Sequence, residues 1–111
     1  MIEGINLNDD SLIWENDGNE YSYDIGKGTF INDDNNILIM NGARNGVIAL
    51  DKNGERVGEI SSCESVYLMY LQKHPRFGLS VVASIKDEDG KWQDKYMSFS
   101  SGKFEIVSNS R

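Results

Sequence analysis

Asx-Gly pairs, among them Asp17-Gly18, Asn45-Gly46, Asn53-Gly54 and Asp89-Gly90, constrain the fold of this chain more than any other feature. Asn, Asp and Gly accept the positive φ that tight hairpin turns demand, so each pair marks a reversal between strands. Turn signals recur about every eight to twelve residues, the rhythm of an antiparallel meander. The segments between them are short and rich in β-branched and aromatic residues.

Strands are predicted at Leu12 to Glu15, Tyr21 to Ile25, Thr29 to Asn32, Asn36 to Asn41, Gly46 to Asp51 and Glu55 to Ile60. Ile37 to Met40 and Val47 to Leu50 are apolar on both faces, which predicts interior strands covered on each side. Leu79, Val81, Ala83 and Ile85 alternate with Ser80, Val82 and Ser84, a half-buried pattern, and two more strands follow at Lys91 to Ser100 and Lys103 to Val107. Ser62 to Lys73 fits a helix capped by Ser61 or Ser62 and stopped before Pro75. It also fits a strand, because Val66 to Leu71 is apolar and aromatic on both faces; the meander around it favours the strand.

The expected fold is therefore mainly β: one antiparallel meander domain over residues 1–111, built as a sandwich, an open barrel or blade-like sheets, with at most one short helix. Gly46 to Ile60 and Leu79 to Phe99 echo one another, each an apolar strand, an Asp-x-x-Gly turn and a more polar strand. Propeller blades share that pattern, but a chain of this length holds only about two and a half blades.

Little in the chain suggests catalysis. Cys63 and His74 are the only cysteine and histidine, so an internal disulfide and a thiolate metal cluster are both excluded. No nucleophile loop surrounds Cys63, which is expected to behave as a small buried hydrophobe. Placing Gly54 or Gly90 at the glycine of a calcium loop puts Ala49 or Ile85 at the first ligand, and both fail. Gly26-Lys27-Gly28-Thr29 lacks the earlier glycine of a phosphate loop. No enzyme activity, metal or cofactor is expected. The first residues carry no basic and apolar leader, and Val66 to Leu71 is too short to span a bilayer, so the expected setting is cytoplasmic.

Charge is the functional signal. Residues 1–55 hold 11 acidic side chains against Lys27, Arg44 and Lys52, a net of −8, whereas residues 56–111 come to +1, together the chain's −7. An acidic surface repels nucleic acid and anionic lipid and steers basic proteins toward itself. The candidate partner-binding acids are Asp9, Asp10, Glu15, Asp17, Glu20, Asp33 and Asp34. Trp14, Tyr21 and Tyr23 lie among them and are read either as core or as aromatic anchors of the same interface. Trp92 and Tyr96 share a strand face and are read as packing.

A small β-rich domain of cytoplasmic character, strongly acidic and without catalytic residues, resembles bacterial immunity proteins of toxin–immunity pairs, including those of contact-dependent growth inhibition. The resemblance covers the character of the whole chain and carries no motif, so no functional residue transfers from it. It implies a cognate toxin domain, often a basic nuclease, occluded by carboxylates that imitate its substrate. Two rival classes remain: a non-catalytic ligand- or carbohydrate-binding β module, which needs aromatic side chains exposed on a groove, and a propeller-like assembly subunit.

Overall fold

A computed structural model describes residues 1–108, and among them every regular element is a strand. Three antiparallel meanders follow one another. The first sheet is β1 (Glu3–Asn8), β2 (Ser11–Asn16) and β3 (Asn19–Asp24). The second is β4 (Thr29–Asn32), β5 (Asn36–Met40), β6 (Gly46–Asp51) and β7 (Arg56–Ser61). The third is β8 (Val66–His74), β9 (Gly78–Lys86), β10 (Trp92–Ser100) and β11 (Lys103–Ser108).

The middle sheet explains the stack. Its register sets Ile37 opposite Leu50 and Ile39 opposite Ile48 on one face, and Leu38 opposite Ala49 and Met40 opposite Val47 on the other. The first set packs with Leu12, Trp14 and Ile25 around the first sheet. The second packs with Leu68, Val81, Ala83 and Met97 of the third. The doubly apolar runs are thus interior strands, as the sequence predicts. Strand orders of the second and third sheets run in parallel, with β4 over β8 and β7 over β11. Close approach there needs Gly58, where a Cβ would sit 2.8 Å from the Phe99 ring.

Polar clasps fix the first sheet to the second. Trp14 donates from Nε1 to the Lys52 carbonyl at 2.8 Å, and its ring stacks on Tyr21. Buried Asn16 receives the Met1 amino group and donates to Asn53 Oδ1. Ile2 donates to the Asp34 carbonyl. These bonds gather the β2–β3, β4–β5 and β6–β7 turns at one end of the molecule.

Ser62 to Lys73 is strand from Val66 on. It buries Leu68 in the core and leaves Tyr67 and Tyr70 on the surface, and a bulge between Leu68 and Tyr70 keeps it in register with β9. The outer face of β9 is more buried than the alternation predicts, because the β8–β9 loop folds back over it: Ser98 donates to the Phe77 carbonyl, and Tyr96 packs edge-on against His74. Strand β1 is not foreseen in the sequence; it is polar, and a bulge at Gly4, with φ of 61°, interrupts its period. The two echoing segments occupy different places in their sheets, β6–β7 and β9–β10. What they share is a turn closure: Asp51 Oδ1 accepts from the Asn53 and Glu55 amides, as Asp87 Oδ1 does from Asp89 and Lys91.

The two tryptophans should separate sharply in stability measurements. Trp14 is 1% exposed and Trp92 49%. Trp14→Ala is expected to cost about 3–5 kcal/mol in urea unfolding, from the cavity and the orphaned Lys52 carbonyl. Trp92→Ala should cost under about 1 kcal/mol. Iodide should quench only the Trp92 emission.

Candidate functional site

The acidic half of the sequence resolves into one sheet. Glu3, Asp9, Asp10, Glu15, Asp17, Glu20 and Asp24 lie within β1–β3 and their turns, and no lysine or arginine precedes Lys27. Those side chains alone equal the chain's formal charge of −7.

Register sharpens the picture. Leu12 and Trp14 of β2 point to the core, so Ile13 and Glu15 point outward. Glu3 lies opposite Glu15, and Glu15 opposite Glu20. Three glutamates thus form one row across the exposed face of a sheet, the arrangement that cross-strand pairing disfavours. Among the described residues none of the three forms an ion pair. Asp24 shares this face, opposite Ser11.

The candidate residues therefore divide. Glu15 and Glu20 stand together on the face, joined by Glu3 and Asp24, which the sequence reading did not single out. The alternation of β2 and β3 was the available signal for Glu3, but an unrecognised β1 hid it. Asp9 and Asp10 sit on the β1–β2 turn and Asp17 on the β2–β3 turn, at opposite ends of β2, about 20 Å apart. Asp33 and Asp34 belong to the second sheet. Asp33 Oδ1 accepts from the amides of Asn35 and Asn36, so that carboxylate closes its turn.

The aromatics need correction. Trp14 is in the core and offers nothing to a partner. Tyr21 is half-buried against it. Tyr23, also half-buried, reaches the side of the sheet, where its hydroxyl accepts from Arg56 Nη2 at 3.2 Å. Cys63 is exposed, not buried. Hydrogen bonding from Ser65, its hydroxyl first and then its amide, holds the Cys63 thiol below its ordinary value.

Two concave features complete the surface. A cleft of about 360 Å³ runs beside β3, walled by Tyr23, Asp24 and Ile25 and floored by Ile48, Arg56 and Glu59 of the second sheet. Arg56 lies 3.7 Å from Glu59 and is held above its ordinary value chiefly by the Tyr23 hydroxyl. On the far side of the molecule, Tyr67 and Trp92 flank Ser84 around a shallow hollow. Trp92 is thus a surface residue, whereas Tyr96 on the same face is packed.

No family model, curated protein or solved structure matches the chain.

The glutamate row should cost stability. Glu15→Gln, at its centre, is expected to raise unfolding free energy by roughly 0.3–1 kcal/mol at low salt. At about 1 M salt, where charges are screened within about 3 Å, the gain should vanish. Denaturant titration at two ionic strengths checks this.

Proposed function

We propose that this chain is a non-catalytic binding protein that neutralises a basic protein partner, in the manner of an immunity protein facing a nuclease-type toxin. The first sheet is its binding surface. The observation that carries the reading is the row Glu3–Glu15–Glu20, three carboxylates without an ion pair among the described residues, on an exposed face of a sheet without a single base. Solubility needs charge, but it does not need like charges placed directly opposite one another. A toxin that acts on nucleic acid carries a basic cleft to hold phosphates. A flat plate of carboxylates is steered into such a cleft and shuts out the substrate.

The test is association with the product of the neighbouring gene, measured by surface plasmon resonance. Glu15→Lys combined with Glu20→Lys should weaken binding by at least about a hundredfold, and Lys103→Glu should leave it within about twofold. The on-rate should fall at least about tenfold between 50 and 500 mM salt. Salt-independent association mapped to the third sheet would overturn the proposal.

A second reading draws on Tyr67 and Trp92, which are 60% and 49% exposed on either side of Ser84. Paired aromatic rings on a groove suit a carbohydrate-binding module. That reading expects Trp92 fluorescence to change on titration with soluble oligosaccharides, with loss of the change in Tyr67→Ala; an unchanged spectrum removes it.

A further inference from the structure

We infer that the free edge of β3 receives an extended segment of the partner as a fourth strand of the first sheet, one whose side chains alternate basic outward and apolar inward. This inference rests on the acidic-sheet reading above and names what that sheet binds.

The first sheet has three strands and the sheet beneath it four. Tyr23, Asp24 and Ile25 form the wall of the cleft and Arg56 and Glu59 of β7 its floor, so the uncovered strip of the second sheet lies alongside β3. Strands in a sheet are about 4.8 Å apart, so an added strand beside β3 would lie on the side of the cleft that Arg56 and Glu59 of β7 floor.

The edge itself is open to pairing. Ile25 donates to the Asp10 carbonyl, which sets the parity of the ladder: Tyr21 and Tyr23 turn their backbone groups toward β2, and Glu20, Ser22 and Asp24 turn theirs away. Among the described residues those outward groups take no backbone partner.

Exposed edges are normally guarded, and the others here are. β1, β7, β8 and β11 each carry a register shift in their pairing, and β4 is only four residues long. Bulges, brevity and lysine or proline are the usual means of blocking strand addition. β3 pairs in unbroken register from Asn19 to Asp24 and carries no lysine, no proline and no bulge.

Charge selects the occupant. An antiparallel copy of β3 centred on Ser22 would set Glu20 against Asp24, so a second copy of this chain is repelled. A strand with lysine or arginine on its outward positions meets those same carboxylates as favourable cross-strand pairs. Its inward positions face Ile25 and Ile48, which favours apolar side chains there, and Glu59 on the same floor is already matched by Arg56 at 3.7 Å. Main-chain bonds would supply affinity and the alternating side chains specificity.

The probe is a labelled, capped peptide of alternating lysine and valine about eight residues long, long enough to cover the six of β3. Its twin is N-methylated on the amides of one edge, which keeps the charge and blocks the ladder, and a second twin is methylated on the other edge. Fluorescence anisotropy at low salt should show saturable binding of the parent, weakened at least about tenfold in one of the twins. Hydrogen exchange should slow at the amides of Glu20 and Ser22. Ser22→Pro, which removes an outward donor that an edge strand can spare, should weaken the parent peptide by a similar factor. Should that variant misfold, the methylated peptides decide alone. Equal affinity of all three peptides means attraction by charge alone, which overturns strand addition and leaves the acidic-sheet reading standing. No binding of any peptide overturns strand addition as well. Binding lost on methylation but untouched by salt or by Glu15→Lys would keep strand addition and remove the acidic reading.

Discussion

Everything in this molecule depends on the two-sided burial of β5 and β6. A strand that is apolar on both faces is stable only between two other layers, and here the alternate residues of one pair of strands supply the contacts for both. Ile37, Ile39 and Leu50 hold the first sheet, and Leu38, Met40, Val47 and Ala49 hold the third. A one-residue slip would exchange the two sets and break both interfaces at once. The Asx-Gly turns and the Asp51 closure fix the register against such a slip.

Stacking in this way leaves the outer sheets free on their far faces, and the two are used differently. The third sheet covers much of its far face from within, by folding the Phe77 loop over Ser80, Val82 and Tyr96. The first sheet leaves its far face to glutamate. It is also the smaller of the two, and bonds from Trp14, Asn16 and Ile2 fasten one end of it in addition to its buried face. Seven carboxylates are thus concentrated on a thin layer whose attachment does not involve them.

Much of the fold was legible in the sequence because turn chemistry is local. Asx-Gly pairs and β-branched runs located ten of the strands, including β8, where the surrounding meander outweighed the helix signals. β1 was not legible, since Gly4 and its bulge erase the alternation by which a strand is read. The site was half legible for the same reason. Charge by halves pointed to the stretch that forms the first sheet, but Glu3, Glu15 and Glu20 are neighbours only across strands, and registering them requires β1. Trp14 illustrates the opposite limit: in sequence it sits among acids, and only the alternation of β2 tells that it faces inward while Glu15 faces out.

That alternation also explains how the sheet carries so many acids without unfolding itself. On β2 and β3 the inward positions, Leu12, Trp14, Tyr21 and Tyr23, carry the cohesion, and the outward positions, Glu15, Glu20 and Asp24, carry the charge. Repulsion along the glutamate row acts within the layer and in solvent, where it is weak, and burial acts between layers, where it is strong. The sheet can therefore carry like charges side by side at modest cost. The same repulsion opposes pairing between identical edges, so β3 needs no bulge to keep two copies of the chain apart. An edge guarded by its charge remains open to a strand of the opposite sign, whereas a bulged edge is closed to every strand.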